Sequence, residues 1–398
     1  MTKIRLSVMI GVIVSIGAGS ALADSEAAAV KLGNGIELTP SLNVDFQNDD
    51  NVTNASSSQI ESVVTLVNPN FQLSAGNDVS DYNLTYSLEK GAYFDSSADN
   101  YLDQTVSGEG NWELNERNHF SLAGSYLAGH EARGTGISQG FGNLLDEPDT
   151  YKENDVHGLY SYGAEGAKGR IDVTVGSGNH NYDGNELRVR THDRGTNYGT
   201  LGFSYNAGGK TRLLAEASLR DIAYDYTAPG VAPLDSTETD FLVGISWEGT
   251  AKTTGRIKVG ASRKAFDSAA RGESTMPSWE VGVGWTPRTY STFDLSTKRH
   301  SQETNGAGNY IDVQTYRLGW THEWAERLST EVAYAHTNNQ YEGVQREENI
   351  DNTSLEANYV MRRWLSLRAG VSLDKQNSNQ ANFDYDKNLT YIGFELTL

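Results

Sequence analysis

Apolar side chains return at every second residue in segment after segment of this sequence. Tyr82-Leu84-Tyr86-Leu88, Phe241-Val243-Ile245-Trp247, Trp279-Val281-Val283-Trp285, Tyr316-Leu318-Trp320 and Leu365-Leu367-Ala369-Val371-Leu373 all show it. The residues between are polar or small, as with Asn83, Thr85 and Ser87, or Ser366, Arg368, Gly370 and Ser372. A period of two belongs to a β-strand with two unlike faces. No comparable run keeps a helical period, so the chain reads as all-β. In the final segment Ile392, Phe394, Leu396 and Leu398 fall on one face, and Tyr391, Gly393, Glu395 and Thr397 on the other. A half-buried edge strand of a soluble sandwich could carry that pattern. A strand ending on an apolar residue suits better the last stave of a membrane barrel, which must close on the first and meet lipid on one side.

Near the start, Lys3 and Arg5 precede an apolar run from Leu6 to Ala18 and the small-x-small site Ala21-Leu22-Ala23. Residues 1–23 therefore read as a secretory signal peptide, too short for a spanning helix. A short periplasmic segment, 24–34, and a single barrel domain, 35–398, are expected to follow. With no cysteine, the exported chain has neither a lipid attachment point nor a disulfide framework. No other segment offers ~20 consecutive apolar residues. The mean hydropathy of -0.53 is ordinary for strands that alternate between lipid and lumen. The formal charge of -20 argues against nucleic acid as a partner.

Short and long connections alternate. Short ones include Asn77-Asp78-Val79-Ser80, Asn115-Glu116-Arg117-Asn118, Ala207-Gly208-Gly209-Lys210, Ala325-Glu326-Arg327 and Met361-Arg362-Arg363. Between them lie longer stretches at 47–59, 132–154, 225–236 and 300–309. Short periplasmic turns and longer extracellular loops mark outer-membrane barrels. The count is about 18 strands, within 16–20, centred from near residue 41 to near residue 391. Trp112, Trp247, Trp285, Trp320, Trp324 and Trp364 sit beside short turns, and Trp279 alone at the other end. Tyr93, Tyr101, Tyr182, Tyr224, Tyr226, Tyr310 and Tyr341 crowd the long-loop ends. Amphipathic rings belong at membrane boundaries, so these sets predict two aromatic girdles. The predicted fold is a transmembrane antiparallel up-and-down β-barrel, integral to the bacterial outer membrane. Its surroundings would be outer-membrane lipid and lipopolysaccharide, with the barrel-assembly machinery engaging the C-terminal strand.

Little in the sequence suggests catalysis. The eight histidines are scattered singly, without the spacing of a metal site, and no phosphate-binding glycine loop is present. Neither a metal nor a cofactor is expected. His192-Asp193 has the composition of a rim protease pair, but two adjacent residues specify little, and the chain reads as a non-enzyme. More informative is the basic run Arg188-Val189-Arg190-Thr191-His192-Asp193-Arg194. At period two, Arg188, Arg190, His192 and Arg194 share a face that could line the outer mouth and attract anions, or lie in a solvated loop. Arg212, Arg220, Lys298, Arg317 and Arg368 fall on polar strand faces, as do Glu216, Asp294, Glu323 and Asp374. Paired charges across a water-filled lumen are expected from them. Arg188, Arg190, Arg194, Arg317 and Arg368 are the candidate contacts for cargo. Asp49-Asp50, Asp146-Glu147-Pro148-Asp149 and Glu347-Glu348 read as solvated loop charge.

Val44-Asp45-Phe46-Gln47-Asn48-Asp49-Asp50-Asn51-Val52 resembles the opening motif of an outer-membrane β-barrel porin family encoded in exopolysaccharide and capsule operons. Here Gln47-Asn48 is inserted after the aromatic residue. The order Pro69-x-Phe71-x-Leu73, Tyr82-x-Leu84-x-Tyr86, Asp99-Asn100-Tyr101 and Asp193-Arg194-Gly195-Thr196 is similar too. The resemblance implies a channel for exopolysaccharide or capsular polysaccharide export, working beside a periplasmic polysaccharide-export protein and an inner-membrane chain-length regulator. The residues themselves indicate only a barrel. A nutrient-uptake or diffusion porin is the alternative, and a rim-active enzyme or adhesin the third reading. A barrel of this size leaves an aqueous channel, whereas ~8 strands would fill with side chains.

Overall fold

The computed structural model describes residues 29–33, 35–164, 166–250 and 252–397. The expected signal peptide, residue 34 and Leu398 lie outside them. Eighteen strands form the wall: β2 (Ile36–Asp49), β3 (Ser62–Gly76), β4 (Ser80–Tyr93), β5 (Tyr101–Asn115), β6 (Asn118–Glu131), β7 (Asp149–Tyr162), β8 (Gly169–Tyr182), β9 (Arg194–Gly208), β10 (Thr211–Tyr224), β11 (Ser236–Thr250), β12 (Thr253–Phe266), β13 (Glu273–Arg288), β14 (Ser291–Glu303), β15 (Tyr310–Ala325), β16 (Leu328–Glu342), β17 (Arg346–Arg362), β18 (Leu365–Ser378) and β19 (Tyr385–Thr397). Each pairs antiparallel with the next, and β19 closes on β2. Closure leaves no unpaired edge, the condition for placing backbone amides in hydrocarbon. A short strand preceding them, β1 (Val30–Gly33), pairs with β2 at Ile36–Leu38, just below the point where β19 ends against Ser41. It therefore continues the closing seam towards the periplasmic end.

Alternation sorts the side chains. Leu84, Val106, Leu122, Val175, Leu201, Phe241, Leu318 and Leu355 are exposed on the outer face. Their neighbours in sequence face inward and bond one another. In β19, Ile392 is 64% exposed beside inward Tyr391, whose hydroxyl donates to Glu356 at 2.5 Å. The expected register of the last strand is the observed one. Strands of 13 to 17 residues exceed the ~9–11 needed to cross hydrocarbon, so their upper ends stand above it.

Glycine makes the seam possible. Arg368, Gly393 and Asp45 occupy one cross-strand row across β18, β19 and β2. The Arg368 guanidinium crosses over Gly393 to Asp45, with Nε 2.8 Å from Oδ1. A Cβ on Gly393 would lie 1.9 Å from that oxygen. Tyr391 crosses Gly370 in the same way to reach Glu356 in β17. Charge-assisted bonds of this kind are the stronger class, and here they span the closing strand.

The lower girdle is as expected. Trp285, Trp324 and Trp364 are exposed near the short turns, joined by Tyr82, Tyr160, Tyr290 and Tyr359. A ring stack runs from Trp285 through Phe293, 5.3 Å away, to Trp320, 6.0 Å further. The upper set differs from expectation. Tyr182, Tyr224, Tyr310 and Tyr341 are buried. Their parity turns them into the mouth, where Tyr182, Tyr224 and Tyr341 donate to Glu131, Glu303 and Glu348. The outer face of the upper half instead carries Tyr126, Tyr316 and Tyr334.

Candidate functional site

Two chain segments cross the outer mouth. The first is the loop of residues 132–148. Arg133, buried at its root, donates from Nε and Nη2 to Asp99 at 2.8 and 2.6 Å and to the Leu145 carbonyl at 2.8 Å. Ile137 packs on Tyr182 and Val189, and its amide donates to Glu131 at 2.7 Å. Asn143 accepts from Thr53 at 2.5 Å and donates to the Ser58 carbonyl at 3.1 Å. At the tip, Gln139 accepts from Asn305 at 2.9 Å, Arg346 at 2.6 Å and Tyr341 at 3.3 Å. Its amide nitrogen donates to Glu348 and Gln376, both at 3.2 Å. The loop leaves β6 and reaches β17 and β18 on another side of the barrel, so it bridges the mouth.

The second segment is the upper β14–β15 hairpin. Pairing between β13 and β14 stops above Trp279–Arg299, while β14 and β15 stay paired up to Glu303–Tyr310. Freed from β13, the hairpin leans inward. Ser301 donates to Glu238, and Glu303 binds Lys264 and the Tyr224 hydroxyl, all inward groups of β10–β12. Ile311 and Val313 pack against Tyr341 on the opposite side of the hairpin. Lys264 and Glu238 are 2% and 3% exposed, so this network is desolvated and its members depend on one another.

The basic run differs from expectation. Residues Leu187–Arg190 coil into a single helical turn, α1, so Arg188, Arg190 and Arg194 do not share a strand face. Arg188 is held bidentate by Asp149 at 2.5 and 2.6 Å. Arg190 stacks on Tyr226, 4.1 Å from the ring centre. Arg194 opens β9 and donates to the His192 carbonyl at 3.0 Å. His192 Nδ1 meets the Arg188 carbonyl at 2.8 Å, and Asp193 accepts from the Tyr182 amide at 2.7 Å. Burial pushes the imidazole below its ordinary value and the Asp193 carboxyl above its own. These two side chains serve the loop's backbone instead of facing each other.

The acidic clusters are solvated only in part: Asp146, Glu147 and Glu347 are exposed, and one carboxylate of each cluster is engaged in an ion pair. Asp49 binds Lys387 at 2.8 Å, Asp149 binds Arg188, and Glu348, fully buried, binds Arg346. The Gln139–Arg346 and Arg133–Asp99 bonds are not legible in the sequence, since they join residues 207 and 34 positions apart.

Below the mouth the lumen is open and polar. Arg317 pairs with Glu331 at 3.0 Å, Arg220 with Glu238 at 2.8 Å, and Lys258 with Glu280 at 2.9 Å. Arg368, at the seam, is engaged by Asp45. The charges are unevenly placed around the wall. By register, the inward positions of β2–β7 hold Asp45, Glu89, Asp103, Glu109, Glu153 and Asp155, and no Lys or Arg. Those of β10–β15 hold Arg212, Arg220, Arg256, Lys258, Lys298 and Arg317. The same strands also turn Glu216, Glu238, Asp240, Glu280 and Asp294 inward. β4 and β13 stand nine strands apart in the ring of eighteen, so an acidic wall without cations faces a wall of mixed charge. A cavity of 330 Å³ lies against the acidic side, lined by Gln72, Asn83, Thr85, Ser107, Glu109 and His157.

A closed eighteen-strand barrel with an apolar belt, a lower aromatic girdle and a charged lumen under a constricted mouth is a porin-type channel integral to the outer membrane. The chain belongs to the family described as "Putative beta-barrel porin 2", whose model matches residues 26–398. Its fold is similar to a BenF-like porin from Pseudomonas fluorescens Pf-5, with TM-score 0.51 and 11% identity, over 92% of this chain and 99% of that one. It is also similar to OccK2 (OpdF) of Pseudomonas aeruginosa, solved in complex with glucuronate, with TM-score 0.53 and 11% identity, over 91% and 98%. A shorter likeness, 27% identity over 100 residues, relates 23% of the chain to a surface lipoprotein assembly modifier of Haemophilus influenzae (strain 86-028NP). That match spans 21% of the curated relative's length.

Proposed function

We propose that this protein is a passive channel for small polar solutes, with entry limited by the 132–148 loop, and that it carries no catalytic function. The five hydrogen bonds of Gln139 carry the reading, because they fix a bridge across the mouth that a small solute can skirt and a polymer cannot. The sugar acid bound to OccK2 is a solute of the size and polarity such a lumen suits. Export of a polysaccharide, with a periplasmic export protein as partner, is the second reading. It is favoured by the hydroxyl and amide lining of Asn83, Thr85 and Ser107, groups that exchange hydrogen bonds with sugars. It requires the loop to swing out of the mouth.

Swelling of proteoliposomes separates the readings. Rapid swelling in arabinose and glucuronate, with none in a polysaccharide of several kilodaltons, is expected. No swelling in either small solute overturns the channel. Loss of surface polysaccharide in a deletion strain would favour export over uptake.

A further inference from the structure

Most lumen cations have a carboxylate partner, and two of the arginines do not. Arg212 in β10 and Arg256 in β12 flank Ser246 in β11, in one cross-strand row. All three point inward, opposite in parity to the exposed Leu213, Val243 and Val259. Among the described residues, neither guanidinium has an ion pair or a hydrogen bond. The inward carboxylates nearby are otherwise placed: Glu216 is engaged by Lys258 at 3.2 Å, and Glu248 makes no ion pair.

The row continues through small residues. Gly282 follows Arg256, then Ser296, then Arg317. A Cβ on Gly282 would meet nothing within 4 Å, so space opens beside Arg256 on the lumen side. The cross-strand spacing of ~4.8 Å sets the Arg212 and Arg256 backbones roughly 10 Å apart, with only a serine between them. Two guanidinium groups on stems of that reach can converge over Ser246.

We infer that Arg212, Ser246 and Arg256 form a binding station for the carboxylate or phosphate group of a solute in transit. The inference rests on the channel reading above and adds the class of solute. A planar guanidinium fork matches the two oxygens of a carboxylate or phosphate, and the Ser246 hydroxyl supplies a further donor between the forks. Arginines left unpaired in a lumen rich in carboxylates hold their full charge for a passing ion. The opposing acidic wall drives an anion towards them. The station lies below the mouth, in the periplasmic half, so a solute meets it after passing the loop.

Reversal potentials across planar bilayers test this with the full mature chain. Arg212→Gln/Arg256→Gln should lower the chloride-to-potassium permeability ratio at least threefold and abolish concentration-dependent current block by succinate and inorganic phosphate. Block by succinate alone would assign the station to carboxylates, and block by phosphate alone to phosphates. Arg263→Gln, which removes an exposed cation on the outer face of β12 that is paired with Glu273, should change either readout less than twofold. Heat-modifiable mobility of each variant establishes that the barrel has formed. A folded double variant with wild-type selectivity and block overturns the station while leaving the channel reading intact. A wild-type protein that conducts no ions overturns the channel reading itself.

Discussion

Arg346 donates from Nη2 to the Gln139 side-chain oxygen at 2.6 Å, joining residues 207 positions apart in sequence. The same guanidinium stacks on Phe383 and Tyr341, at 3.5 and 4.2 Å from their ring centres. It thus brings the loop tip to β16, β17 and the β18–β19 connection at once. Removing the Gln139 amide would leave buried polar groups on β16–β18 without their partner, at about 1–3 kcal/mol for each group left unsatisfied.

Gln139→Ala should therefore raise single-channel conductance and admit larger solutes, with the barrel still heat-modifiable. Conductance and solute cut-off equal to wild type would mean that the loop holds its place without its tip.

The root of the loop makes a separate prediction. Arg133 and Asp99 are both nearly buried, and removing one charge of a buried pair costs about 3–5 kcal/mol. Arg133→Met should expose residues 132–148 to limited proteolysis, and Arg133→Met/Asp99→Leu should restore part of the protection. Protection at wild-type level in the single variant would place the anchor elsewhere.

At the seam, Gly393→Val should prevent the Arg368 side chain from reaching Asp45, because a Cβ there overlaps Asp45 Oδ1. The folded band on unheated gels should disappear at a lower temperature than in wild type, and Asp45→Asn should lie between the two. If the valine variant melts with wild type, the row crossing Gly393 contributes nothing to closure.

The outer face offers the sharpest contrast. Ile392→Arg places a charge in lipid at about 2–4 kcal/mol, while Glu395→Gln changes a lumen residue. Surface abundance should fall strongly for the first and little for the second. Equal abundance would put the last strand out of register by one residue, which exchanges its two faces.

The strands were legible because each carries its own period-two signal, and tryptophan beside the short turns fixed which end is which. Legibility ended where contacts become long-range. The alternation Arg188, Arg190, His192, Arg194 imitates a strand, yet the chain coils there because Asp149 and Tyr226 take Arg188 and Arg190 in different directions. Tyr182, Tyr224 and Tyr341 looked like a lipid girdle for want of knowing their parity and their carboxylate partners. The small strand Val30–Gly33 has no distinct pattern of its own, and its pairing with the foot of β2 becomes visible only in the register. Segregated lumen charge was present in the sequence but invisible until register said which residues point inward.

That segregation acts on orientation as well as on sign. The carboxylates of β2–β7, with no inward cation among them, face the mixed charges of β10–β15, and that difference sets up a field directed across the pore, perpendicular to the direction of travel. A neutral sugar would tumble freely through it. A molecule with a positive and a negative end feels a torque instead, and descends side-on with one end towards each wall. Two solutes of equal width and equal net charge would then pass at different rates according to their dipole moments alone.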